Sequence, residues 1–248
     1  MTPLVFVLSL FVGLALGMLG GGGSILTLPI LKYAAGVPDK EAIAASLIVV
    51  GLTSAAAVVS HARQGNVDVR IGGIFAVAGA AGAYAGGLLA AWVPGTWLIR
   101  GFLLMMAATG VAMLRGRKDV EASAMSALPV GKIAAEGLVV GVVTGLVGAG
   151  GGFLVVPALT LLGGLDMRRA VGTSLLVIAL KSFTGYLGHA AHESVDMTLA
   201  LMISGGAILG SFAGGWLAPK VPAQTLRKAF GVFVLAMAAW MGWQELVA

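Results

Sequence analysis

A lysine in the middle of an apolar run calls for a partner. Lys181 lies within VGTSLLVIALKSFTGYLG, where an ammonium has two uses, neutralising an anion or carrying a proton. A buried ion pair, for instance with Glu136, or snorkelling of the head group toward an interface would serve structure alone. Hydroxyls fall in the apolar stretches that follow two glycine runs: Ser46, Ser54, Thr173, Ser174 and Ser182 are candidates to line an anion path. Hydroxyls bonded back to their own helix are the competing arrangement. His61 and His189 close two such stretches and are candidate proton relays, since imidazole titrates near neutral pH; a histidine that closes a helix end is the alternative. Cysteine is absent, which excludes thiolate nucleophiles and thiolate metal sites. With His189 and His192 the one close histidine pair and no acidic cluster, neither a metal site nor a catalytic constellation is expected. No GxxxxGK[ST] run is present, so ATP hydrolysis by this chain is unsupported, and no cofactor is expected.

Glycine supplies the second kind of chemistry. Residues 17–29 read GMLGGGGSILTLP and residues 145–157 read GLVGAGGGFLVVP. Each glycine costs a helix roughly 1 kcal/mol against alanine, yet Gly20, Gly21, Gly22 and Gly23 stand together, as do Gly148, Gly150, Gly151 and Gly152 around Ala149. Such a run breaks a helix and frees backbone groups that need partners inside a membrane. A helix restarting after the break points its N-terminal N–H groups into the gap and favours an anion there. Ser24 is a candidate N-cap or ligand hydroxyl. Close helix packing is the alternative use of small residues, and it suits scattered glycines such as Gly82, Gly86 and Gly87.

What holds these residues must be a membrane bundle. Of 248 residues, 59% are hydrophobic and 10% charged, against about 25% charged in a soluble domain. Helices crossing a hydrocarbon core need about 20 apolar residues. Stretches of that kind fall near 3–20, 42–60, 71–92, 97–114, 130–148, 170–188, 197–218 and 229–247, with shorter ones at 24–36 and 153–164 directly after the glycine runs. The fold expected is an all-α integral membrane protein with about eight full-length helices plus short helices after the breaks. MTPLVFVLSLFVGLALG lacks a basic start and reads as the first membrane element rather than a cleaved signal. Tryptophans 92, 97, 216, 240 and 243 lie near span ends, as an interfacial belt would. The net charge of +5 suits anionic headgroups or an anionic solute. Scattered basic residues give no nucleic-acid stripe.

The chain also repeats itself. An offset of 128 carries Gly13 to Gly141, Gly17 to Gly145, Pro29 to Pro157, Ser46 to Ser174, Ser54 to Ser182, His61 to His189, Asp68 to Asp196, Gly82 to Gly210 and Pro94 to Pro222 without a gap. This predicts a first membrane repeat over 1–114, a polar linker over 115–128 and a second repeat over 129–248. Duplicated halves with interrupted helices at matching places are the pattern of secondary transporters, whose site lies near the midplane where the breaks meet. Residues 3–36 either cross once with a break, giving parallel repeats, or fold back as a re-entrant hairpin, giving inverted repeats; inversion is favoured. Lys181 corresponds to Thr53, so a site containing it is asymmetric.

The run from Gly148 to Gly152 followed by Pro157 resembles the GxGGGxxxxP signature of the sulfite exporter TauE/SafE family of membrane proteins. The first-half copy departs from it once, with Ser24 where a third glycine would stand. The resemblance extends to the length, the duplicated halves, the polar central loop and the paired Pro94 and Pro222. It implies a multi-pass transporter or permease of the bacterial inner membrane, associated with sulfite, organosulfonates and related anions. The expected partners are a small anionic substrate, the lipid bilayer and a coupling ion, with the proton first among candidates; a homo-oligomer is compatible with this class. Two other readings stay open here: an integral-membrane enzyme acting on lipid or a small solute, and a non-transporting assembly subunit.

Overall fold

The computed structural model describes residues 3–115, 130–147 and 152–247. Helices account for every regular element among them. In the first half these are α1 (Pro3–Leu19), α2 (Gly22–Pro29), α3 (Asp39–Arg63), α4 (Val69–Ala90) and α5 (Gly95–Arg115). The second half contains α6 (Val130–Val147), α7 (Gly152–Pro157), α8 (Met167–Ala190), α9 (Met197–Leu217) and α10 (Ala223–Val247). Seven described helices are long and apolar enough to cross a membrane by length and composition. The eighth expected span, α1, is apolar but has 17 residues, and it is followed by a reversal rather than a continuation.

That reversal has a local cause. Gly20 adopts φ +71°, a left-handed conformation that a side chain disfavours. Beyond it, a Cβ on Gly23 would lie 2.3 Å from both Leu16 Cβ and Val12 O. In a continuous helix Gly23 would stand about 16 Å beyond Val12, so α2 runs back along α1. Each short helix then reaches its proline and widens into a π turn, Ile30–Ala34 and Ala158–Leu162. Ala35 N donates to Ile30 O and Gly163 N to Ala158 O, both five residues back. A proline inside a helix offers no N–H and crowds the preceding turn, and a π turn accommodates the misfit. Gly36 and Gly164, partners under the repeat offset, both take positive φ to end these segments.

Glycine also sets how the long helices meet. A Cβ on Gly13 would fall 1.7 Å from Ala207 O and one on Gly17 2.2 Å from Ser211 O, so α1 lies backbone to backbone on α9. The offset partners do the same between α6 and α4: Gly141 meets Gly79 O at 2.2 Å and Gly145 meets Ala83 O at 2.2 Å. Gly82 and Gly86 belong to this second seam, against Leu138 O and Val142 O. In lipid no hydrophobic drive separates helix from solvent, so close packing of small residues supplies the attraction.

The sequence of contacts along each seam gives direction. Positions advance together from α1 to α9, hence those helices run parallel. Between α3 and α8 they advance oppositely. Asp68, just past the end of α3, reaches Arg169 near the start of α8 at 3.1 Å, while Lys40 at the start of α3 lies 3.9 Å from Glu193 beyond the end of α8. Thus α3 and α8 are antiparallel. The same holds for α5 and α10, where Gly110 faces Leu235 and Gly231 faces Leu114. Aspartates cap the following helices: Asp68 accepts from Ile71 N at 2.9 Å and Asp196 from Leu199 N at 3.0 Å. A carboxylate there satisfies a free N–H and complements the helix dipole.

Candidate substrate site

The starts of the two short helices meet inside the bundle. A Cβ on Gly21 would lie 2.1 Å from Gly152 C and O and 2.4 Å from Phe153 N, so only hydrogen fits between the starts of α2 and α7. Gly152 in turn faces Ser24 Oγ and Ile178 Cδ1, and Gly20 faces Ser174 Oγ and Val156 Cγ2. One face of α8 therefore runs along the junction, with Ser174, Ile178 and Ser182 following one another at helical spacing. Gly22 opens α2 next to this contact. Gly148, Gly150 and Gly151 lie outside the described residues.

Most of the buried hydroxyls are committed locally. Ser24 Oγ donates to Gly21 O at 2.6 Å. It sits inside the first turn of α2, and the cap position is Gly21, which has no side chain to cap with; the N-cap role expected for Ser24 is corrected on this point. Ser46 Oγ donates to Ile43 O and Ser174 Oγ to Val171 O, each at 2.7 Å. Thr173 faces elsewhere: its Oγ1 accepts from Asp68 N at 2.9 Å and fastens the α3–α4 connection to α8. Ser182 and its counterpart Ser54 are fully buried, and neither hydroxyl has a hydrogen-bond partner among the described residues.

Lys181 is 1% exposed, and its Nζ donates to Thr144 Oγ1 at 3.0 Å. Thr144 stands in the last turn of α6, where carbonyls without amide partners favour a cation. Glu136 is eight residues earlier, about 12 Å along the helix, and its ion pair is with Lys132 on the same helix at 4.0 Å. Sequence reasoning did not find Thr144. The corresponding first-half residue is Leu16, so the repeat offers no signal for it.

The histidines repeat their geometry. His61 Nε2 lies 2.8 Å from Gly17 O, and His189 Nε2 lies 2.8 Å from Gly145 O. A carbonyl only accepts, so each Nε2 carries the hydrogen. Each ring thereby ties the end of α3 or α8 to the end of α1 or α6. His61 Nδ1 has no partner among the described residues.

A second polar cluster went unread in the sequence. Lys32 bridges Asp39 Oδ1 at 2.9 Å and also pairs with Glu245, whose Oε1 accepts from Tyr33 OH at 2.6 Å. These bonds fasten the end of the α2 segment to α10. The offset positions of the lysine, tyrosine and aspartate are Thr160, Leu161 and Met167, so only proximity in the fold discloses the cluster.

Helices that cross a membrane, a folded-back α2 and the contact of the α2 and α7 starts within the bundle define a multi-pass membrane protein of transporter type. The sequence model described as Sulfite exporter TauE/SafE matches residues 5–241. A probable membrane transporter protein of Xylella fastidiosa (strain 9a5c) is 37% identical over 246 residues, covering 96% of this chain and 94% of the relative. The probable membrane transporter protein YdhB of Bacillus subtilis (strain 168) is 27% identical over 232 residues, with 91% and 94% covered. MJ0441 of Methanocaldococcus jannaschii, also described as a probable membrane transporter protein, is 34% identical over 111 residues, 42% of each chain. No solved structure matches. The chain belongs to the sulfite exporter TauE/SafE family; it is a membrane transporter, not an enzyme.

Proposed function

We propose that the chain is a secondary transporter of a small sulfur oxyanion or organosulfonate across the bacterial plasma membrane, coupled to a proton gradient. The observation that carries the reading is the backbone contact of the two breaks, Gly21 against Gly152. Helix starts brought this close place two positive dipole ends in one region, which suits an anion without requiring a fixed charge at the contact. Lys181, held at the end of α6, supplies the positive charge beside it. The family description, which names sulfite export, supports the same substrate class.

The unit of transport is a pair of inverted repeats, 1–114 and 129–248, joined by the polar segment 115–128. Support comes from the antiparallel runs of α3 with α8 and of α5 with α10, and from element starts that recur at the repeat offset. Alternating access then consists of rocking one set of helices against the other around the break junction.

Purified chain reconstituted alone into liposomes tests the function. Expected is saturable uptake of sulfite or methanesulfonate that an imposed pH gradient accelerates. Folded protein that moves neither anion under any gradient refutes the reading.

A further inference from the structure

Most buried hydroxyls in this bundle bond to their own helix, Thr173 accepts from the Asp68 amide instead, and two serines have no partner at all among the described residues. Ser9, Ser24, Thr27, Ser46, Thr53, Thr144, Ser174, Ser204 and Ser211 each donate to a carbonyl three or four residues earlier in their own helix. Ser54 and Ser182 are 0% exposed and have no partner among the described residues. Leaving a buried hydroxyl unpaired is unfavourable. Here the unpaired hydroxyl occurs twice, at positions related by the offset of 128, on the antiparallel helices α3 and α8. Coincidence of two independent packing faults is a poor account of that symmetry.

The placement of the pair fits a ligand. Ser182 Cβ lies 3.4 Å from where a Cβ on Gly51 would be, so the α3–α8 crossing passes through this point. Ser54 is three residues beyond Gly51, with Cβ positions about 5–6 Å apart on one helix. Along α8, Ser182 is one turn past Ile178, the residue that touches Gly152 at the break junction. Lys181 is its immediate neighbour. A hydroxyl oxygen can bind a cation through its lone pairs or an anion through its hydrogen. Neither helix carries a carboxylate within a turn of its serine, so nothing along them would neutralise a bound cation.

We infer that Ser54 and Ser182 together form a two-donor oxyanion clamp, each hydroxyl donating to a different oxygen of one bound anion. This rests on the proposed anion transport and narrows its substrate class to anions with at least two acceptor oxygens on one centre, as in sulfite and sulfonates. A monatomic anion cannot engage both donors in the same way.

The test is a titration of the purified full chain with sulfite, methanesulfonate and chloride, alongside thermal unfolding without ligand. Ser54→Ala and Ser182→Ala are each expected to weaken sulfite and methanesulfonate about tenfold, a change of about 1.4 kcal/mol. The double variant should lose the preference for these oxyanions over chloride. Ligand-free melting temperatures should be unchanged or higher, because alanine removes an unpaired polar group, whereas a serine with a structural bond would destabilise on removal. A double variant that binds both oxyanions as the parent does overturns the clamp and leaves anion transport standing, with a trapped water as the hydroxyls' partner. A parent chain that binds neither oxyanion overturns the transport reading itself. Melting temperatures lowered in both single variants, with affinities unchanged, also overturn the clamp.

Discussion

Adding a methyl group at Gly21 should separate the two breaks. The backbone there, φ −82° and ψ −12°, is open to alanine, so Gly21→Ala introduces no torsional strain and acts by volume alone. Its Cβ would sit 2.1 Å from Gly152 C and O, far inside the 3.4 Å at which ordinary contact begins. Those atoms are backbone, and no rotamer change relieves them. The starts of α2 and α7 must move apart until that overlap is gone, and overpacking of this kind costs about 1–3 kcal/mol. Gly73 in α4 is the internal control, since nothing lies within 4 Å of its added Cβ, and Gly→Ala inside a helix is worth about 0.5–1 kcal/mol in the stabilising direction. Melting of the detergent-solubilised proteins should therefore fall for Gly21→Ala and hold or rise for Gly73→Ala. In liposomes, about 1.4 kcal/mol added to the rate-limiting rearrangement slows it tenfold, and flux through Gly21→Ala should drop by about that factor while Gly73→Ala transports normally. Gly21→Ala with parental melting and parental flux would refute the contact as a constraint on either folding or transport.

Two further outcomes follow from the same geometry. Lys181→Met should weaken oxyanion binding by about tenfold or more, because a unit charge near an anion is worth on the order of 4 kcal/mol at an effective dielectric near 20, before desolvation; Lys181→Arg should keep part of it. Glu136→Gln should leave affinity unchanged, since its bond is to Lys132, and a loss of affinity there as large as that of Lys181→Met would contradict the assignment. The chain has no native cysteine, so Lys40→Cys and Arg168→Cys can be labelled individually with an impermeant thiol reagent in right-side-out and inside-out vesicles. Inverted repeats place these two helix starts on opposite faces of the membrane, and labelling from one face only would exclude inversion.

Features that depend on neighbours along the chain were legible before any fold was known. Apolar length marks the helices, a glycine run breaks them, and proline disturbs the turn that follows, all through effects that act within a few residues. The offset of 128 is likewise visible without coordinates, and it carries pairs such as His61 and His189 into matching bonds with Gly17 and Gly145. Membrane class and the family resemblance follow from the same material, because composition and a short glycine signature are read along the chain without any contact being known.

Tertiary structure alone decided which of several similar side chains is occupied and which is left over. Ser46, Ser54, Ser174 and Ser182 read alike in sequence, yet two donate to their own helix and two have no partner among the described residues. A serine hydroxyl can reach its own helix in any span, and what surrounds it in the crossing sets whether it does. Thr173, beside Ser174, is drawn to the Asp68 amide because α8 begins where α3 ends. Lys181 finds Thr144 where the first half has Thr53 and Leu16, a pairing that no periodicity announces. Lys32, Tyr33 and Glu245 meet from opposite ends of the chain because α10 returns to the end of the α2 segment. Local propensity and repetition are written along the chain, but a hydrogen bond between distant residues exists only once packing has fixed both ends.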